Sequence, residues 1–97
     1  MLEKTLQSEC LDYIKQYRDI VCANIHGGGW ANKGFPDLVA CIKGKYVAFE
    51  LKVGSNKMEN AQRLWKKRIE QAGGLHFEIR TIEEFKKTIE DIINDKK

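Results

Sequence analysis

The sequence predicts an α/β domain, a mixed four-stranded sheet flanked by helices in the order αβββαβα. Three observations carry this. Pro36-Asp37-Leu38-Val39-Ala40-Cys41-Ile42 and Tyr46-Val47-Ala48-Phe49-Glu50-Leu51-Lys52-Val53 are apolar runs of strand length joined across Lys43-Gly44-Lys45, a hairpin signal. Three other stretches repeat apolar residues at helical spacing. A strand, a helix of about four turns and another strand follow in succession, and the right-handed crossover this implies makes the last two strands parallel. With 97 residues, the chain is expected to be one domain, residues 1–97, with a modest core.

Each element has its own warrant. Leu2, Leu6, Cys10, Tyr13, Ile14 and Tyr17 mark an amphipathic first helix over about residues 2 to 17. Ile20 to His26 reads as a strand with Val21, Ala23 and Ile25 on one side. Residues 27 to 34, Gly-Gly-Gly-Trp-Ala-Asn-Lys-Gly, are too glycine-rich for regular structure and predict a flexible loop bordering Asp37. Asn56 with Glu59 has capping-box spacing, placing a second helix there with Met58, Ala61, Trp65, Ile69 and Ala72 as its apolar stripe and Gly73-Gly74 as its stop. Leu75, Phe77 and Ile79 alternate in a fourth strand. Thr81 and Glu84 cap a third helix, whose apolar face is Ile82, Phe85, Ile89, Ile92 and Ile93, and the tail frays at about 95–97.

Composition excludes several classes. No apolar run approaches the roughly 20 residues that span a bilayer, and Met1-Leu2-Glu3-Lys4 lacks the pattern of a signal peptide. Cys10, Cys22 and Cys41 are odd in number and form no CxxC pair, which predicts reduced thiols in a cytoplasmic protein rather than zinc or disulfides. The net charge is only +3, yet from Lys33 to Arg68 nine Lys or Arg face three acids, and two of those acids are Asp37 and Glu50. A basic surface around a small acidic pocket suits a protein that holds a polyanion and cuts it; a solvated lysine-rich surface is the plainer alternative.

The hairpin carries charges that do not belong in buried strands. Glu50 and Lys52 share a face with Tyr46 and Ala48, while Val47, Phe49, Leu51 and Val53 share the other. A turn on Lys43-Gly44 sets Asp37 opposite Glu50; a turn on Gly44-Lys45 sets it opposite Lys52 with Glu50 diagonal. In either register opposed Cβ atoms are roughly 5 Å apart and diagonal ones about 7 Å. Two carboxylates so close need a shared proton, the lysine or a bound cation. Oxygen donors favour magnesium or manganese, and a buried Asp-Lys-Glu salt-bridge cluster is the structural alternative.

Further candidates surround that pair. Glu3 lies inside the first helix's apolar stripe and can reach the charged face, with Glu9 at the stripe's edge as second choice; a favourable place at a helix N-terminus is the other reading of Glu3. Gln62 sits in the second turn of its helix with its amide toward the strand ends. Arg63, Lys66 and Lys67 form a ridge suited to phosphate. Trp30 and Lys33 either wrap a nucleic-acid strand by stacking and charge, or Trp30 folds back as a lid.

Taken together, Gly34-Phe35-Pro36-Asp37-Leu38, then Glu50-Leu51-Lys52, then Gln62 with Trp65, then Gly73-Gly74 and a strand resemble the PD-(D/E)XK nuclease superfamily, and within it the VRR-NUC (virus-type replication-repair nuclease) family. The resemblance implies a restriction-endonuclease-like core. It implies that Asp37, Glu50 and the main-chain carbonyl of Leu51 bind Mg2+ or Mn2+, that Lys52 orients the attacking water, and that Gln62 supports the site. It also implies a first-helix glutamate followed by apolar residues three and seven later, which Glu3 fits with Leu6 and Cys10, although Cys10 stands where a larger aliphatic residue is usual. Stand-alone members of this size imply a homodimeric, structure-selective endonuclease resolving four-way DNA junctions, phage or prophage encoded and acting in the bacterial cytoplasm, without membrane or organic cofactor. A flap nuclease and a non-cleaving DNA-binding module are the alternatives.

Overall fold

The structure, a computed structural model, describes residues 2–25 and 33–95. Its elements in chain order are α1 (Glu3–Ile14), β1 (Ile20–Asn24), β2 (Leu38–Ile42), β3 (Lys45–Leu51), α2 (Asn60–Gln71), β4 (Leu75–Ile79) and α3 (Ile82–Ile93). The sheet is mixed, in the order β1-β2-β3-β4, with β3 and β4 parallel and the other pairs antiparallel. Among the described residues no helix is long and apolar enough to cross a membrane.

The hairpin register follows from its turn. Lys43 and Gly44 both take positive φ, 52° and 79°, the left-handed pair that lets a two-residue turn match the twist of its strands. Leu38 therefore pairs with Phe49 and Ile42 with Lys45, and the continued register sets Asp37 against Glu50.

One face of the sheet is the core. Leu6, Cys10, Leu38, Ile42, Val47, Phe49, Leu51, Phe85 and Ile89 are fully buried there beneath α1 and α3. Phe85 meets Phe49 edge-on at 4.9 Å and Tyr13 at 6.2 Å, joining α3 to the sheet and to α1. Burial pushes the Cys10 thiol up to about 12, so it packs as a small apolar group. All three cysteines are free.

Several boundaries differ from expectation. α1 stops at Ile14, and Leu2 is 73% exposed because it is the N-cap, its carbonyl accepting from Thr5 and Leu6 while its side chain lies beyond the core. In β1 the side bearing Val21, Ala23 and Ile25 faces out; Ile20 and Cys22 turn to the core instead. His26, with the loop from Gly27 to Asn32 and residues 96 and 97, lies outside the described residues. α2 begins three residues later than the Asn56 spacing suggests. Arg80 donates to the carbonyls of Gly54 (3.1 Å) and Asn56 (2.6 Å), holding that stretch as a loop, and the cap is Glu59, whose N–H donates to Gln62 Oε1 at 2.8 Å. Met58 therefore precedes the helix and Ala72 is its exposed C-cap, leaving Ile69 as the residue α2 buries.

Candidate active site

The second face of the sheet holds the charged groups. Glu50 is 2% exposed and Lys52 8%. Sequence alternation forces them there: Phe49 and Leu51 point into the core, so their neighbours must point away. Burial of a carboxylate without compensation is costly, and each local bond can be read as partial compensation.

Leu38 ends the β2 ladder, and Asp37 continues it with its side chain. Its Oδ2 accepts from the Leu51 N–H at 2.9 Å. In an extended strand the carbonyl of a residue leaves on the same side as its N–H, so the Leu51 carbonyl points toward Asp37 as well. Pro36, the residue that would oppose it in the continued register, has no N–H to offer. Proline before the aspartate thus cannot donate to that main-chain oxygen.

α2 crosses this face and supplies Gln62. Its Nε2 donates to Glu50 Oε2 at 3.1 Å while its Oε1 accepts from Glu59 N–H. One side chain therefore caps the helix and holds the carboxylate. It stands third in α2, within the first turn rather than the second. The second oxygen, Glu50 Oε1, is buried with no hydrogen-bond partner. Burial, then the adjoining Asp37, push the Glu50 carboxyl up to about 9; Lys52 opposes the shift and Glu3 adds to it. Burial and then the Asp37 charge also raise Glu3, against Lys52. Glu3, Asp37, Glu50 and Lys52 are thus one electrostatic group. Glu9 lines a different cleft, with Val53, Arg80 and Thr81.

No ion pair joins Lys52 to Asp37 or Glu50 among the described residues. The salt-bridge cluster allowed by the sequence is therefore not formed. No group of three or more His, Cys, Asp or Glu side chains is arranged to hold a metal ion among the described residues either. The donors at hand are two carboxylates and one carbonyl, with water to complete a shell. That hard, few-ligand set fits magnesium or manganese, and a cation would satisfy Glu50 Oε1.

The approach to Asp37 is clamped onto α2. Trp65 Nε1 donates to the Lys33 carbonyl at 3.0 Å, and Phe35 meets the Trp65 ring edge-on at 4.9 Å. Gly34, at φ +82°, lies so close to α2 that a Cβ would come within 2.6 Å of the Ala61 backbone. The last two residues of the glycine-rich stretch are thus fixed, with the Lys33 side chain exposed; Trp30 lies outside the described residues. Of the expected basic ridge, Arg63 and Lys67 are exposed, but Lys66 is half-buried and turned inward, donating to Glu70 Oε2 (3.1 Å) and the His76 carbonyl (3.2 Å). The sequence reading missed Arg80, whose partners lie 24 and 26 residues away, a separation with no local signal.

No protein-family model matches the chain, and no curated protein matches its sequence.

Proposed function

We propose that the chain is a divalent-metal-dependent, structure-selective DNA endonuclease of the PD-(D/E)XK superfamily, of VRR-NUC type, which resolves four-way junctions as a homodimer in a phage- or prophage-bearing bacterial cytoplasm. The observation that carries this reading is Glu50: a carboxylate 2% exposed, with one oxygen lacking any donor, set beside Asp37, Glu3 and Lys52. Burying such a group without a partner costs stability, and a bound cation would offset that cost.

Asp37, Glu50 and the Leu51 carbonyl would hold the ion. When bound, magnesium or manganese polarises a non-bridging phosphate oxygen and favours deprotonation of water. The chain's own groups do the positioning. Lys52 sets its positive charge beside the attacking water and the phosphate, Gln62 fixes the Glu50 carboxylate, and Glu3 adds a further acceptor for bound water. In-line attack breaks the bond to the 3′ oxygen and leaves a 5′-phosphate and a 3′-hydroxyl. A homodimer suits a four-way junction because a two-fold substrate needs two symmetric cuts.

The test is cleavage of a labelled panel (four-way junction, flap, linear duplex, single strand) with Mg2+ or Mn2+, beside a Glu50→Ala control. Paired cuts in the junction, lost in the control, are expected. Preferential cutting of flaps would change the substrate assignment, and tight binding with no cutting under either metal would make the chain a non-cleaving module.

A further inference from the structure

Beside the carboxylate group, an open cleft of about 480 Å³ lies between α2, the loop before it and the end of β4. Arg63, Lys66, Lys67 and Glu70 recur at three- and four-residue spacing and form one stripe of α2, next to the stripe of Gln62, Trp65 and Ile69 that faces the sheet. Glu78, on the cleft's other wall, is the register partner of Glu50 on the adjacent strand, about 5 Å away.

The cleft's cations are of two kinds. Lys66 is bound to Glu70 and to the His76 carbonyl. Arg80 is bound to Glu78 Oε2 at 2.7 Å and to the Gly54 and Asn56 carbonyls. These two neutralise the cleft's acids and hold the loop that carries Lys57. Lys57 and Lys67 have no ion pair among the described residues, and Arg63 has only a 3.4 Å contact with Asn60 Oδ1. Three uncommitted positive charges therefore converge on a concave surface large enough for a nucleotide unit, and such a grouping attracts a polyanion.

We propose that Lys57, Arg63 and Lys67 form a second phosphate-binding cleft that grips the nucleic-acid backbone next to the phosphate held at Glu50, with Arg80 as the positioning residue that sets Lys57. The location of the gripped phosphates rests on the nuclease reading; polyanion binding by the cleft does not. Lys66, engaged within the protein, takes no part.

The test is the salt dependence of binding to a fluorescein-labelled four-way DNA junction in EDTA, read by anisotropy. The variant Lys57→Gln/Arg63→Gln/Lys67→Gln is expected to lower the slope of log K against log salt by about 2 to 3, at roughly 0.9 per phosphate contact, with its thermal melt unchanged. Lys15→Gln/Lys86→Gln/Lys87→Gln, an equal loss of charge elsewhere, is expected to leave the slope as it is. Arg80→Lys keeps the charge but not the fork and is expected to lower the slope by about 1; no change would remove Arg80 from the account. An unchanged slope in the first variant, or an equal fall in the second, overturns the cleft. If wild type still cuts DNA in that case, the nuclease reading stands; if the slope falls as expected but wild type cuts nothing under either metal, the cleft stands and the nuclease reading falls.

Discussion

The two faces of the sheet solve opposite problems with the same strands. Under α1 and α3, β2 and β3 present Leu38, Ile42, Val47, Phe49 and Leu51, all fully buried in an apolar core. Under α2 the same β3 presents Glu50 and Lys52, nearly as buried, together with His76 from β4 at 4% exposure and both ring nitrogens unpartnered. The first face stabilises the fold; the second opposes it. What the contrast teaches is that the first helix pair supplies the rigidity that lets the α2 face keep groups which burial disfavours.

The contrast breaks most sharply at Phe85, which joins α3 to Phe49 and Tyr13. Phe85→Ala is expected to cost about 3 to 5 kcal/mol, read by urea denaturation; a loss below about 1 kcal/mol would mean that the α3 face is not the stabilising one. Gly34→Ala probes the other face through its clamp. The positive φ and the 2.6 Å approach to Ala61 predict a loss of about 1 to 3 kcal/mol, with a larger proportional loss of the proposed nuclease activity because Asp37 follows three residues later. Equal melting of wild type and Gly34→Ala would show that the clamp is not built as described.

Glu50→Gln sharpens the comparison through the pH dependence of stability. Burial raises the Glu50 carboxyl to about 9, so the folded state favours its protonated form. That contribution is complete below the ordinary carboxylate range and is lost as pH rises toward 9. In EDTA the melting temperature of wild type should therefore fall between pH 6 and 9 relative to Glu50→Gln, which has no proton to lose there. Parallel curves would contradict the assignment.

Sequence made the hairpin legible because Lys43-Gly44 and strict alternation each limit the backbone, yet two registers stood until the left-handed pair at 43 and 44 selected one. The charged face was legible for the same reason: apolar Phe49 and Leu51 force Glu50 outward from the core. The start of α2 was not, because Asn56 and Glu59 mimic a capping box while the deciding contacts come from Arg80, far along the chain. Lys66 read as a surface cation, since nothing local reveals that the His76 carbonyl lies within its reach. The bond from Leu51 N–H to Asp37 likewise depends on where the β2 ladder ends, which pairing decides and composition does not.

The central claim is that Glu50 and Asp37 form a cation site in which the buried Glu50 carboxyl stays protonated until an ion arrives. Calorimetric titration of Mn2+ into the metal-free protein at pH 7, in two buffers of different ionisation enthalpy, tests it directly. The account predicts saturable binding with net release of protons to the buffer, abolished in Glu50→Gln. Absence of binding heat in both buffers, or binding that persists unchanged in Glu50→Gln, would contradict it.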